Sequence, residues 1–80
     1  MDTRSAVVNR IEDIRESKGL TRSELGVKSG LTNSTLTSIL NGKSKNPGIV
    51  TLNQICVGLG ISLRELFDDD VFENLEDPVK

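Results

Sequence analysis

Short stretches in which apolar residues recur with helical spacing, each followed by a turn residue, constrain the fold of this chain more than any other feature. In the first stretch, Val7, Ile11 and Ile14 stand at positions i, i+4 and i+7, which is one face of a helix. Gly19 follows, and glycine readily adopts the left-handed conformation that ends many helices. We therefore expect a first helix over residues 5–18.

Two capping boxes mark the starts of further helices. Thr21 and Glu24 form a T-x-x-E pattern, and Ser62 and Glu65 form the equivalent S-x-x-E pattern. In such a box the hydroxyl and the carboxylate each accept a hydrogen bond from a backbone amide that the first helical turn leaves without a partner. The boxes predict that the second helix begins at Thr21 and ends before Gly30, and that the fifth begins at Ser62.

The segments between the boxes predict two more helices. Thr32 is a good N-cap for a third helix, and Asn41 and Gly42 close it. Asn-Gly also occurs in β-hairpin turns, but the apolar–polar alternation of strands is missing on both sides. A loop containing Pro47 follows. The fourth helix is marked by Leu52, Ile55, Cys56 and Leu59.

Five short helices without a strand place the chain in the all-α class, as a compact bundle. The second and third helices are separated by three or four residues that include Gly30, which is the spacing of a helix-turn-helix. We assign residues 1–67 to this domain and residues 68–80 to an acidic C-terminal tail. Within the tail, Asp70 and Glu73 allow one further short helix.

The composition excludes most catalytic and cofactor chemistry. The 80 residues include no histidine and a single cysteine, Cys56, which lies between two apolar residues. The chain therefore lacks the ligands of a zinc cage and a histidine-paired nucleophile, and we expect neither an enzyme nor a bound metal or cofactor. The longest run of apolar residues and glycine, residues 55–61, is seven residues long, far below the ~20 of a membrane-spanning helix. We expect a cytoplasmic protein with no membrane partner.

The formal net charge of −2 hides an uneven distribution. Residues 1–66 hold nine Lys and Arg against six Asp and Glu, whereas residues 67–80 hold one lysine and six acids. A modestly basic body allows attraction to phosphate on one face, and the acidic tail is equally well explained as a solvated terminus.

The third helix has an outward face made of short polar side chains. Rotation by about 100° per residue puts Leu36, Ile39 and Leu40 on one side and the polar residues on the other. These polar residues are Ser34, Thr37, Ser38 and Asn41, with Asn33 in the first turn. Short side chains let a helix lie deep in the major groove of DNA, where an asparagine can bond adenine. A solvated surface helix would show the same pattern, and periodicity alone does not distinguish the two.

Several motifs follow one another in a specific order: Arg10-Ile11, Ile14-Arg15-Glu16, Lys18-Gly19-Leu20-Thr21, Gly30-Leu31-Thr32, Asn41-Gly42-Lys43 and Leu59-Gly60-Ile61-Ser62. Their order and spacing over residues 8–67 resemble the Cro/phage-repressor (Xre-type) helix-turn-helix family. The resemblance implies a lambda-repressor-like fold and a repressor-like transcriptional regulator. It also implies a homodimer that binds double-stranded DNA at inverted-repeat operators, with the second helix crossing the backbone and the third in the major groove.

The resemblance further implies roles for individual residues. Base reading falls to Asn33, Ser34, Thr37 and Ser38. Contacts with DNA phosphates fall to Arg22, Asn41, Lys43 and Lys45. We expect the remaining cations of the body to be ordinary surface charges, namely Arg4, Arg10, Lys18, Lys28 and Arg64.

Three positions depart from the family pattern. Arg22 replaces a common glutamine, which keeps phosphate affinity but removes an acceptor that would brace Asn33. Gly26 replaces alanine, which indicates close packing of helices two and three at a helix-propensity cost of ~1 kcal/mol. Leu40 replaces a glutamate that often pairs with an arginine at the position of Arg15, and we therefore expect Arg15 to be available to another partner such as phosphate.

Two functions fit the sequence. The first is the DNA-binding regulator, and the flanking cations and intact helix-turn-helix core favour it. The second is a protein-interaction module, such as a phage or mobile-element antagonist, an antitoxin or a regulatory subunit, that kept the fold but does not bind operator DNA. The net charge, the acidic tail and the uncharged third helix favour this alternative, whose apolar surface would include Leu40, Phe67, Val71 and Phe72.

A homodimer needs an apolar contact. We expect 80 residues to leave no room for a separate oligomerisation domain, so the contact should lie in helix five and the segment after it. The candidate residues are Phe67, Val71, Phe72 and Leu75.

Overall fold

The computed structural model describes residues 1–43 and 46–79, and this part of the chain is helical without strands. The five α-helices are α1 (Thr3–Ser17), α2 (Arg22–Ser29), α3 (Asn33–Leu40), α4 (Ile49–Leu59) and α5 (Leu63–Phe67). A 3-10 turn, Asp70–Phe72, follows α5. The prediction of an all-α bundle of five short helices is confirmed. None of the described helices has both the length and the apolar character needed to cross a membrane.

Both predicted capping boxes are formed. In the first, the Glu24 amide donates to Thr21 Oγ1 and the Thr21 amide donates to Glu24 Oε1, each at 3.0 Å. The second joins Ser62 and Glu65 in the same way, each bond being 3.1 Å long. The bond from the Thr21 amide favours the ionised carboxylate and so lowers the pKa of Glu24. Helices α2 and α5 therefore begin where the sequence predicts.

Helix α3 also begins and ends at its predicted signals. At its start, the Thr35 amide donates to Thr32 Oγ1 at 3.1 Å. At its end, the Asn41 amide donates to the Thr37 carbonyl at 2.9 Å, and Gly42 has a left-handed φ of 75°. The Asn41-Gly42 pair thus ends a helix and does not turn a hairpin.

The core draws apolar side chains from all five α-helices, with α2 packed along α4 at its centre. The largest fully buried side chains are Ile11, Leu25, Leu36, Ile55, Leu66 and Cys56. Burial raises the pKa of the Cys56 thiol, consistent with an apolar core residue. Because α3 buries its apolar side in this core, its polar side must face solvent.

Helices α2 and α4 approach closely where Gly58 faces Ser29. A Cβ atom on Gly58 would collide with Ser29 Oγ and would lie 3.0 Å from Leu25 Cδ1. Ser29 Oγ is itself buried, without a hydrogen-bond partner among the described residues. The interface therefore has no room for a side chain at position 58.

Arg10 fixes the segment after α5 to α1. Its guanidinium donates to the carbonyls of Leu66 and Glu65, both at 2.9 Å, and to the Asp69 carboxylate at 3.2 Å. Phe72, in the 3-10 turn, packs against the core. The expectation that Arg10 is an ordinary surface charge is wrong, because the carbonyls at the end of α5 accept its N–H groups.

Gly26→Ala should stabilise the protein and Gly58→Ala should destabilise it. A Cβ at position 26 would lie 3.4 Å from Leu31 O and 3.7 Å from Leu36 Cδ2, which are ordinary contacts. Alanine there should add about 0.5–1 kcal/mol through helix propensity, because α2 and α3 pack closely at Gly26 but leave room for a methyl group. Gly58→Ala should force α2 and α4 apart at a cost of about 1–3 kcal/mol.

Urea denaturation of the two variants measures these changes in the free energy of unfolding. Each variant adds one methyl group within a helix, so each is the control for the other. Equal effects of the two substitutions would contradict the packing described at Gly58.

Candidate functional site

The polar side of α3 lies where the sequence predicts. Asn33 and Ser34 in the first turn are exposed, and Thr37 and Ser38 one turn later are half-buried. The buried side consists of Leu36, Ile39 and Leu40. We call Asn33, Ser34, Thr37 and Ser38 the polar strip. It offers hydroxyl and amide groups, which donate and accept hydrogen bonds without carrying charge.

The turn between α2 and α3 fixes the start of the polar strip. Gly30 caps α2 with a left-handed φ of 67°, and the Leu31 amide donates to the Gly26 carbonyl at 3.0 Å. Gln54 of α4 donates from Nε2 to the Ser29 carbonyl at 3.4 Å. Because Leu31 also packs against the core, the first turn of α3 has a fixed position relative to α2 and α4.

Two arginines hold the other end of α3. Arg4 of α1 donates from Nη1 to the Gly42 carbonyl at 2.9 Å, and Arg22 of α2 donates from Nη1 to Asn41 Oδ1 at 3.1 Å. The C-terminal end of a helix carries partial negative charge, so both cations are favourably placed. Arg4 is therefore a structural contact and not the ordinary surface charge that we expected.

Glu12 joins Arg22 to Arg15. Its Oε2 accepts from Arg15 Nε at 3.2 Å and from Arg15 Nη2, and its Oε1 accepts from Arg22 Nε at 3.2 Å. Arg15 also donates from Nη1 to the Leu20 carbonyl at 2.6 Å. The expectation that Arg15 is available to phosphate is therefore wrong.

The role of Glu12 was not predicted from the sequence. The three-residue spacing of Glu12 and Arg15 is the one signal that indicates their pairing, because such residues are neighbours on a helix. The separation of ten positions between Glu12 and Arg22 forms no such pattern, since the two lie on different helices.

A shallow cleft of about 390 Å³ runs beside the polar strip. It is lined by Ser34, Thr35, Ser38, Ile39, Asn46, Pro47, Gly48 and Thr51. Its far wall is the start of α4, where Gly48 is the N-cap and no described side chain caps the first amides. Such amides attract anions, so the cleft joins the polar strip to a weakly positive rim.

The charged groups of the site surround α3 and are absent from it. Neither α3 nor α4 contains an Asp, Glu, Lys or Arg. The Arg22 side chain is 40% exposed, and Lys43 is exposed after α3. Lys45, also predicted to contact phosphate, lies outside the described residues. Over residues 1–43 and 46–79, no three His, Cys, Asp or Glu residues are placed to hold a metal ion.

The residues predicted for a dimer contact are partly used within the chain. The rings of Phe67 and Phe72 meet edge-on with centroids 5.2 Å apart, and Phe72 packs against the core. Val71 and Leu75 are half-buried. Leu40, which we assigned to an apolar surface for a protein partner, is buried, so that assignment is wrong.

Other exposed apolar side chains were not predicted from the sequence. They include Val27, Ile49, Val50 and Val57. Three of them belong to α4, which carries apolar residues on all sides. Periodicity therefore could not separate its exposed face from its buried one.

Comparison with known proteins relates this arrangement to a family. The helix-turn-helix family model matches residues 11–66. The uncharacterized HTH-type transcriptional regulator y4dJ of Sinorhizobium fredii is 36% identical over 66 residues, which are 82% of this chain and 84% of y4dJ. The HTH-type transcriptional regulator SinR of Bacillus subtilis is 37% identical over 60 residues, which are 75% of this chain but span 54% of the length of SinR.

Solved structures show the same fold. The restriction-modification controller protein C.Esp1396I matches with a TM-score of 0.76 and 32% identity, over 81% of this chain and 82% of that one. SinR in complex with DNA matches with a TM-score of 0.68 and 35% identity, over 78% of this chain and 98% of that one. The prediction of a helix-turn-helix fold is thereby confirmed.

Proposed function

Because this chain belongs to the Cro/C1-type helix-turn-helix family of DNA-binding transcriptional regulators, we propose that it reads an inverted-repeat operator with α3 in the major groove. The observation that carries the proposal is the polar strip, exposed on a helix whose other side is fixed in the core. SinR, which was solved with DNA, supports this use of the fold.

The polar strip supplies the groups that read bases. The amide of Asn33 has one donor and one acceptor side, which match the major-groove edge of adenine, and the hydroxyls bond either kind of edge. Since no Arg or Lys lies on the strip, discrimination at each base pair is modest. DNA shape and dimerisation supply the remaining specificity.

The groups around the strip bind the DNA backbone. Arg22 and Asn41 lie at the start of α2 and the end of α3, and Lys43 and Lys45 follow in the loop. Contacts of this kind fix the register of the protein on DNA without reading sequence. The uncapped amides of α4 offer further donors to phosphate across the cleft.

The protein acts as a homodimer in the cytoplasm, and its action is occupancy of the operator without catalysis. Two-fold symmetry places the half-sites about one helical turn apart. The apolar contact between protomers is made by the predicted residues Phe67, Val71, Phe72 and Leu75.

A second candidate function is binding to another protein without DNA. Val50 and Val57 favour it, because they are 73% and 65% exposed on a helix without charge. Apolar contacts are nearly insensitive to salt, whereas phosphate contacts weaken steeply as salt rises. The salt dependence of partner binding therefore separates the two candidates.

Lys43→Ala should weaken binding to every duplex, whereas Ser34→Ala should relax the preference at one base position. Selection from a random duplex library with the unchanged protein supplies the operator. Loss of the Lys43 phosphate contact should reduce the slope of log K against log salt by roughly 0.9. Loss of the Ser34 hydroxyl should remove about 1 kcal/mol of discrimination at one base pair. Gel retardation over a salt series measures both effects.

Lys28→Ala is the matched control, because Lys28 is an exposed cation of α2 beside the C-terminal end of α4, away from the polar strip. It should leave operator binding unchanged. A selected motif without two-fold symmetry would contradict the dimer. Unchanged binding by both the Lys43 and Ser34 variants would show that the assigned face is wrong.

Phe67→Ser should lower the fraction of dimer in sedimentation. Phe67 is 40% exposed, so the substitution should leave the fold intact, whereas Phe72→Ser would also disturb the core. Val27→Ser, at a position that is 82% exposed on α2, is the control for the loss of an exposed apolar side chain. A dimer fraction that Phe67→Ser does not change would exclude this surface.

A further inference from the structure

Glu12 is a mostly buried carboxylate held between two guanidinium groups. Its side chain is 18% exposed, and both of its oxygens accept hydrogen bonds, one from Arg22 and the other from Arg15. Arg15 is anchored in turn by the Leu20 carbonyl. Because Arg15 is fixed at two points, Glu12 has little freedom to move away from Arg22.

Arg22 links the fixed Glu12 carboxylate to the end of α3. With Nε bonded to Glu12 and Nη1 bonded to Asn41, its planar group is fixed at two edges by partners on α1 and at the C-terminal end of α3. The side chain is nevertheless 40% exposed. A guanidinium has five N–H donors, so Arg22 retains donors for a further partner such as a phosphate oxygen.

From this arrangement we infer that Glu12 is a positioning residue for operator recognition, which rests on the proposed function. By fixing Arg22 and, through it, the end of α3, Glu12 sets the distance between the backbone contact and the polar strip. The strip then meets the base edges only when Arg22 meets its phosphate. Glu12 therefore favours the operator over other DNA without touching either.

The charge of Glu12 makes this role separable from a simple contribution to stability. An unfixed arginine must lose side-chain entropy when it binds phosphate, whereas a fixed one has already lost it. Glu12→Gln releases Arg22 and also removes one negative charge from the surface that faces DNA. Operator affinity should fall, while affinity for unrelated DNA should stay the same or rise, because non-specific binding follows charge.

The test compares Glu12→Gln with Glu16→Gln. Glu16 lies on the same helix, 3.5 Å from Arg15, and its side chain is 68% exposed, so its substitution changes the charge equally without touching Arg22. Retardation at one salt concentration gives the affinity for the selected operator and for a scrambled duplex. Glu12→Gln should lower the ratio of the two affinities about tenfold, and Glu16→Gln should leave it unchanged.

Arg22→Lys provides a second measurement that does not depend on Glu12→Gln remaining folded. Lysine keeps the charge but lacks the planar guanidinium that bonds Glu12 and Asn41 at the same time. We therefore expect the same fall in the ratio of operator affinity to scrambled-duplex affinity. Thermal denaturation tests whether the two single variants fold. Where both do, the affinity ratio of the double variant should fall no further than that of either single variant, because both substitutions break the same linkage.

The outcomes separate this inference from the proposed function. An unchanged protein that prefers no duplex overturns the proposed function and the role of Glu12 with it. The role of Glu12 alone is overturned in two cases, both with an unchanged protein that prefers its operator. In the first, Glu12→Gln and Glu16→Gln give the same ratio of operator affinity to scrambled-duplex affinity. In the second, Arg22→Lys leaves that ratio unaltered.

Discussion

The packing of α2 against α4 is the contact on which the rest of the structure depends. Gly58 lets the two helices approach, and Leu25 fills the space between them. Since α3 follows α2 after the turn at Gly30, the position of α2 on α4 also determines where α3 lies. Three apolar side chains bury one side of α3 in the core, and its polar side faces solvent.

The helices could be predicted because their signals are local. A capping box needs two residues three positions apart, so Thr21 and Ser62 mark helix starts whatever the chain does elsewhere. Contacts distant in sequence leave no such signal. Arg10 bonds the carbonyl of Leu66, 56 residues further along, and no periodicity indicates that pairing.

The candidate site was predictable to the extent that helical geometry determines it. Leu36 and Ile39 define the buried side of α3, and the polar strip follows as the opposite side. Geometry within one helix does not show which cations are already committed to protein partners. Arg15 was expected to lack a partner because Leu40 cannot pair with it, yet a carboxylate on its own helix takes that place.

Because α3 keeps its core residues and its outward residues on separate sides, the outward ones can vary over generations without loss of the folded state. Asn33 and Ser34 are exposed and contribute nothing to the core, and substitutions at such positions typically alter stability by less than about 0.5 kcal/mol. The surface that α3 presents to solvent can therefore change one side chain at a time, while the scaffold that presents it is inherited intact.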